Sequence, residues 1–115
     1  MLYDPQNIFA RILRKELPCT PVLETPYTLS FYDLYPKAPT HVLVIPKGPY
    51  KNIFHFHEKA SDEEIVHFYK DFNNVIQKLR LQGFRIVSNT GVESGQIVDH
   101  FHVHILGGKI LEEAP

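Results

Sequence analysis

Three histidines alternate with apolar residues near the carboxyl end of the chain, in the order His100, Phe101, His102, Val103 and His104. Alternate side chains of a β-strand point to the same face of a sheet. We therefore predict a strand over residues 99–106 that turns its imidazoles to one face and its apolar side chains to the core. A hydrophobic core does not require a row of imidazoles, so the imidazole face is predicted to be a functional site.

Clustered imidazoles serve either metal binding or catalysis at phosphorus. On a strand, imidazoles two residues apart start roughly 6.6 Å from one another, and the outer two start about 13 Å apart. Zinc–nitrogen bonds are only about 2.0–2.1 Å long, so one ion does not easily reach all three residues. An imidazole with its ordinary pKa of about 6.5 is a neutral nucleophile at neutral pH. The pattern therefore favours nucleophilic catalysis over metal binding.

A loop with two glycines precedes this strand and covers residues 89–96. Gly91 and Gly95 permit positive φ angles and a close approach of the backbone to a ligand. Successive backbone amides in such a loop can hold an anion. The loop is therefore predicted to bind phosphate beside the imidazoles.

Apolar periodicity predicts the rest of the fold. A helical stripe at residues 8–13 predicts a short first helix that ends before Pro18. Apolar or β-branched runs predict four further strands, at residues 22–23, 28–32, 41–45 and 84–88. Short links between strands favour antiparallel pairing. The predicted fold is α+β, an antiparallel five-stranded sheet with one short and one long helix.

The long helix is predicted to begin after Ser61. Ser61 and Glu64 have the spacing of a capping box. One apolar face recurs at helical spacing, made by Ile65, Phe68, Tyr69, Phe72, Val75, Ile76 and Leu79. Gly83 suits the position just past the helix end. Before the helix, His55 and His57 are predicted to lie in a surface loop.

Length and composition limit what such a site can serve. A chain of 115 residues is predicted to form one domain, and its net charge of −1 argues against a nucleic-acid binder. Cys19 is the only cysteine, which excludes an internal disulfide and fits a reducing, cytoplasmic compartment. The N-terminus does not read as a signal peptide, and no apolar run approaches the length of a membrane span. A small anionic substrate is compatible with this composition.

The triad strand resembles the signature of the histidine-triad (HIT) superfamily of nucleotide-binding hydrolases and transferases, which is His-x-His-x-His followed by two apolar residues. Flanking residues match the family as well, namely Asn89, Gly95, Gln96, Ile105, Leu106, Gly107 and Gly108. The likeness covers residues 7–108. It is closest to the small purine-nucleotide phosphoramidases, adenylyl-lysine hydrolases in particular.

The resemblance implies a role for each histidine of the site. His102 is expected to attack the α-phosphate and form a nucleotidyl-histidine intermediate that water resolves. His104 is expected to hydrogen-bond phosphate oxygens, and His100 to help orient His102. His41 is expected to support His100 from the neighbouring strand.

The resemblance also implies a pocket for a purine nucleotide, as an AMP or GMP conjugate. Asp33 is expected to bind the ribose hydroxyls. The rest of the expected pocket is Ile8, Phe9, Ile12, Phe31, Leu34, Asn89, Gly95, Gln96 and Ile97. Taken without the resemblance, the residues favour a turn role for Asp33, plain core roles for the apolar side chains, and a buried strand histidine at position 41.

Departures from the family bear on metal binding and specificity. Many bacterial relatives carry a Cys-x-x-Cys zinc pair where this chain has Asn7 and Ala10, and a further ligand where it has Pro49. We therefore predict no metal, and the resemblance implies no cofactor. Ile97 replaces a small polar residue, which removes a hydroxyl from the phosphate site.

The predicted function is metal-independent hydrolysis of nucleoside phosphoramidates of the adenylyl-amine type. The resemblance further implies a homodimer whose sheets join across the interface. Two alternatives stay open: hydrolysis of dinucleoside polyphosphates at the same site, and nucleotide sensing with little turnover.

Overall fold

The computed structural model describes residues 2–114, which form three α-helices, five β-strands and a 3-10 turn. In chain order the elements are α1 (Ile8–Leu13), β1 (Pro21–Glu24), β2 (Thr28–Tyr32), β3 (Thr40–Pro46), α2 (Ile53–Lys59), α3 (Asp62–Leu79), β4 (Phe84–Val87), the 3-10 turn (Val92–Ser94) and β5 (Val103–Gly107). The predicted α+β class is confirmed.

All five strands form one antiparallel sheet in the order β1-β2-β3-β5-β4. The central strand β3 is buried from His41 to Pro46, as its continuous apolar run predicts. Leu43 of β3 lies opposite Phe31 of β2 on one side and opposite His104 of β5 on the other. This register places the third triad histidine beside the middle of the buried central strand.

One face of the sheet packs against α2 and α3. The core on this face combines strand residues Val22, Val42, Val44, Val103 and Ile105 with Phe56, Phe68, Phe72, Val75 and Phe101. Phe56, Phe68 and Phe101 are almost completely buried and pack ring against ring. Each such burial contributes roughly 2–3 kcal/mol, so this layer is the main apolar support of the sheet. Phe101 takes the core position that strand alternation predicts.

The opposite face of the sheet carries a smaller apolar cluster. Its buried members are Phe9, Leu29, Phe31, Leu43 and Ile45. Phe9 comes from α1, and its ring packs edge-on against that of Phe31 at a centroid distance of 5.8 Å. Because α1 has only six residues, it does not cover the face, and a pocket opens beside it.

The start of α3 confirms the predicted capping box, since Ser61 and Glu64 cap each other's backbone amides. The predicted helix end is wrong, because the left-handed residue is Arg80 (φ 53°) and not Gly83. Leu79 and Leu81 both pack on the core, and residues two apart on a helix point in nearly opposite directions. The chain therefore turns between them. Among the helices of residues 2–114, even α3 lacks the apolar length needed to cross a bilayer.

The segment before α3 is helical, so the prediction of a surface loop there is wrong. Asn52 caps α2 by accepting the amide of His55, and Phe56 points into the core without any exposure. His57 is exposed and its imidazole contacts the Tyr69 hydroxyl. One buried residue in seven is too weak a pattern to identify a helix, and packing of Phe56 decides the conformation.

Regular strand structure in β5 begins at Val103, four residues later than the predicted start at residue 99. The last pair of the ladder between β3 and β5 is Val44 with Val103, so the residues before Val103 are not paired with β3. The preceding segment is instead anchored by the amide of Phe101, which donates to the carbonyl of Tyr50 at 2.7 Å. The first two triad histidines therefore lie just before the strand.

Candidate active site

A pocket of about 380 Å³ opens between α1, the connection from β2 to β3, and the triad segment. This volume suits a small-molecule ligand. All ten residues predicted to bind substrate line it, namely Ile8, Phe9, Ile12, Phe31, Asp33, Leu34, Asn89, Gly95, Gln96 and Ile97. Of the predicted catalytic histidines, His102 and His104 line the pocket, whereas His41 and His100 lie behind it.

His100 is separated from the other two triad histidines. Its side chain has no exposure, whereas that of His102 is 7% exposed and that of His104 is half-buried. The expectation that all three imidazoles project together into the pocket is therefore wrong for His100. Because residue 100 precedes the regular strand, alternation does not fix the direction of its side chain.

The hydrogen bond of His102 leaves one ring nitrogen available for chemistry. Nδ1 lies 2.7 Å from the backbone oxygen of His100. A carbonyl only accepts, so we assign the proton of His102 to Nδ1 and the lone pair to Nε2. Within residues 2–114, Nε2 has no hydrogen-bond partner. The ring of Phe9 packs edge-on against the imidazole at 4.9 Å and restricts its rotation.

A chain of hydrogen bonds fixes the tautomer of His104. The amide of Lys37 donates to Nδ1 of His41 at 3.0 Å, so the proton of His41 is on Nε2. That Nε2 lies 2.8 Å from Nδ1 of His104 and donates to it. The proton of His104 is then on Nε2, where it can donate to a ligand. His41 thus supports His104, and the expectation that it supports His100 is wrong.

Burial keeps the site histidines neutral near pH 7. It lowers the pKa of His100 to about 4, and burial together with the neighbouring imidazoles of His102 and His41 lowers that of His104 to about 4. Burial also lowers the pKa of His102 and of His41. Asp33 is the one ionisable carboxylate among the pocket-lining residues, and no lysine or arginine of residues 2–114 lines the pocket. Any phosphate here would be bound by neutral donors.

The glycine loop adopts the predicted backbone conformation but not the predicted anion cradle. Gly91 and Gly95 have φ angles of 81° and 90°. The amides of Gly91, Ser94, Gly95 and Gln96 all donate to acceptors inside the loop. The side chain of Gln96 closes the loop and also donates to Lys51 and Val98 carbonyls. In this structure the Gln96 side chain holds the loop closed, and these four amides are not available to an anion.

Asp33 serves as a turn residue and also faces the site. One carboxylate oxygen accepts the amide of Tyr35 at 2.8 Å, and the other lies 3.5 Å from Nε2 of His41. Asp33, His41 and His104 place three ligand-type atoms within 4.8 Å of one another. A metal on His41 would need Nε2, which carries the proton because Lys37 occupies Nδ1. The hydrogen bonds thus oppose metal binding by this cluster. That the protein binds no metal stays a prediction.

Comparisons with known proteins agree with this geometry. Residues 14–110 match the model of the HIT domain family. The chain belongs to the HIT family. A 13.2 kDa HIT-like protein of Azospirillum brasilense is 45% identical over 95% of this chain and 91% of its own length.

Solved HIT structures match the fold closely. A histidine triad protein from Clostridium difficile is 34% identical, with a TM-score of 0.83 over 99% of this chain and 100% of that one. A HIT family hydrolase from Clostridium thermocellum is 32% identical, with a TM-score of 0.81 over 95% and 96% of the two chains.

The positions of the absent Cys-x-x-Cys pair have structural roles in this HIT chain. Asn7 caps α1, and its side-chain oxygen accepts the amide of Ala10 at 2.9 Å. Ala10 is buried at 6% exposure. In this chain, Asn7 and Ala10 therefore serve to begin and pack α1.

Several residues of the HIT pocket were not predicted from sequence. The unpredicted lining residues are Pro18, Cys19, Tyr32, Tyr35, Leu43 and Val98. Leu43 carried a usable signal, because strand alternation places it opposite the triad on the pocket face. The contact of Tyr3 with His100 had no signal in the sequence, because no local pattern joins residues 97 positions apart.

Acid should destabilise this HIT domain through His100. Its pKa is about 6.5 in an unfolded chain and about 4 in the folded one. Between those values the unfolded chain binds the proton and the folded one does not, so the free energy of unfolding falls as the pH falls from 6.5 to 4. The loss attributable to His100 is about 3 kcal/mol when complete. Above pH 6.5 this group should contribute no pH dependence.

Urea unfolding at pH 7, 6, 5 and 4 measures this dependence. The variant His100→Gln keeps a neutral N–H donor for the Pro46 carbonyl, and we expect a shallower loss of stability with acid than in the wild type. Equal slopes for the two proteins would show that His100 is not the group responsible.

Proposed function

We propose that this HIT protein hydrolyses nucleoside phosphoramidates of the adenylyl-amine type, through a covalent intermediate on His102. One observation carries the proposal: His102 presents an unprotonated Nε2 to the pocket while Nε2 of His104 presents a proton. A nucleophile and a hydrogen-bond donor thus adjoin, with ring centroids 5.1 Å apart. Acyl or phosphoryl transfer needs such a pair.

The apolar part of the pocket suits a purine base. Phe9, Phe31 and Leu43 supply buried apolar surface, with Ile8 and Ile12 from α1 beside them. We assign the ribose to Asp33, whose carboxylate is the one negative charge among the lining residues. A carboxylate accepts hydrogen bonds from hydroxyls and repels phosphate, so it favours a single orientation of the nucleotide.

In the first step, Nε2 of His102 attacks the α-phosphorus and forms a nitrogen–phosphorus bond. The bond from phosphorus to the leaving nitrogen breaks, its electron pair stays on that nitrogen, and the amine departs after taking a proton from solvent. The carbonyl of His100 accepts from Nδ1 of His102 and stabilises the positive charge that develops on the ring. Nε2 of His104 donates to a non-bridging phosphate oxygen.

In the second step, water attacks the same phosphorus and releases His102. The bond from phosphorus to Nε2 of His102 breaks, its electron pair returns to Nε2, and the attacking water loses a proton to solvent. This step releases the nucleoside monophosphate, the amine having left in the first step. No step draws on a metal, because the donors are imidazoles and backbone groups. The name of the Clostridium thermocellum relative, a HIT family hydrolase, supports hydrolysis as the reaction class.

A substrate panel tests the proposal against its two alternatives. Purified protein is given an adenylyl-amine, a guanylyl-amine, a dinucleoside polyphosphate and AMP, with chelator present. Release of nucleoside monophosphate with the highest kcat/KM on the amines supports the proposal. A higher kcat/KM on the dinucleoside polyphosphate replaces it with that activity. AMP binding without turnover of any substrate replaces it with nucleotide sensing.

We also propose that two copies of the chain form a homodimer in which their sheets join, and that the protein resides in a cytoplasmic-type compartment. β4 is an edge strand of the described sheet, and it exposes Phe84 at 42% and Ile86 at 51%. Unpaired edge strands with apolar side chains readily pair with another strand. Sedimentation equilibrium of the purified chain gives the mass directly, and a monomer at micromolar concentration would contradict the dimer.

A further inference from the structure

The hydroxyl of Tyr3 reaches the back of the active site. It lies 2.6 Å from Nδ1 of His100, and the two rings pack edge-on with centroids 5.7 Å apart. Tyr3 does not line the pocket, so it does not touch a bound ligand there. A hydroxyl from the N-terminal segment thus contacts the fully buried triad histidine.

The direction of this hydrogen bond follows from the contact that the other ring nitrogen of His100, Nε2, makes. Nε2 of His100 lies 2.9 Å from the carbonyl oxygen of Pro46, which only accepts, so the proton of His100 is on Nε2. Nδ1 is then an acceptor, and the hydroxyl of Tyr3 donates to it. Burial raises the pKa of Tyr3, which keeps this donor protonated. Both nitrogens of the buried ring are therefore engaged.

The peptide between His100 and Phe101 connects this ring to the nucleophile. Its carbonyl accepts Nδ1–H of His102 at 2.7 Å, and its amide donates to the carbonyl of Tyr50 at 2.7 Å. One end of the peptide is thus held by Tyr50. The other end is held by the His100 side chain, whose own direction is set by Pro46 and Tyr3.

We propose that Tyr3 is a positioning residue, whose hydroxyl locks the His100 ring and so holds the carbonyl that aims His102. The catalytic consequence rests on the proposed hydrolysis. The positioning itself is a property of the ligand-free protein. The two are measured separately, so failure of one is distinguishable from failure of the other.

The variant Tyr3→Phe keeps the ring and removes the hydroxyl. Loss of the donor leaves Nδ1 of His100 buried without a partner, and small errors in nucleophile placement slow the chemical step strongly, so we expect kcat to fall about tenfold. KM should stay within about twofold, because Tyr3 does not line the pocket. The matched control is Tyr27→Phe, which removes an exposed hydroxyl bond to Glu63 outside the pocket and should leave kcat unchanged.

Nitrogen NMR of the ligand-free protein tests the positioning without any substrate. In the wild type, His102 should show a protonated Nδ1 and an unprotonated Nε2, and in Tyr3→Phe these signals should move or average while Tyr27→Phe leaves them in place. Unchanged His102 signals in Tyr3→Phe would overturn the proposal, and so would changed signals with an unchanged kcat. If wild type turns over no substrate, the proposed hydrolysis fails and the NMR comparison still decides the positioning.

Discussion

Replacing His102 by alanine should reduce turnover of an adenylyl-amine by roughly 10⁴-fold or more, because it removes the atom that forms the covalent intermediate. The side chain is 7% exposed, and within residues 2–114 Nδ1 is its one hydrogen-bonded atom, so truncation should leave the fold intact. Nucleotide affinity should change little, since the base and ribose contacts remain. The measurements are kcat from amine release and Kd for AMP from calorimetry.

Two further observations make this result specific. His57→Ala is the matched control, because it removes an exposed imidazole outside the pocket and should leave kcat unchanged. Acid-quenched wild type taken during turnover should carry one nucleotidyl group per chain, and His102→Ala should carry none. Equal turnover by His102→Ala and wild type would reject His102 as the nucleophile.

The second large effect is expected from His41→Phe, which keeps a buried ring and removes the donor to Nδ1 of His104. His104 is then free to place its proton on Nδ1, which turns the Nε2 lone pair toward the phosphate. A wrong tautomer of an active-site histidine is costly, and we expect kcat to fall roughly 10²-fold or more. A direct effect on His102 is not expected, because no hydrogen bond joins His41 to it within residues 2–114.

The control for this variant is His67→Phe, which changes an exposed imidazole stacked on Tyr27 and should leave kcat unchanged. Thermal unfolding of both variants checks the fold. The decisive measurement is the nitrogen NMR spectrum of His104, which should show a protonated Nε2 in wild type and lose it in His41→Phe. A wild-type spectrum with the proton on Nδ1 would contradict the assigned hydrogen-bond direction.

The strength of the site prediction came from a short local motif together with family resemblance. Alternation placed Phe101, Val103 and Ile105 in the core, and all three are buried there. The resemblance supplied the distant pocket residues, and those residues do line one pocket. Composition and periodicity alone would have left Asp33 as a turn residue, which is also one of its roles in the structure.

The errors share a physical cause, which is packing between segments distant in sequence. α2 was missed because Phe56 is its single buried residue, and the partners of Phe56 come from α3 and the triad segment. The end of α3 moved to Arg80 because Leu79 and Leu81 both reach the core. Neither the formation of α2 nor the end of α3 at Arg80 is marked by a periodic pattern in the local sequence.

The sequence by itself determined the fold class, the order of strands along the chain and the alternation that separates core from imidazoles at positions 101–105. These depend on local periodicity and on the chemistry of single residues. The tertiary structure alone decided that His100 is withdrawn from the pocket, that His41 contacts His104, and which nitrogen of each imidazole carries the proton. Those features depend on backbone groups at Lys37 and Pro46, and chain folding brings such groups within hydrogen-bond distance of the rings without leaving any mark on the local sequence.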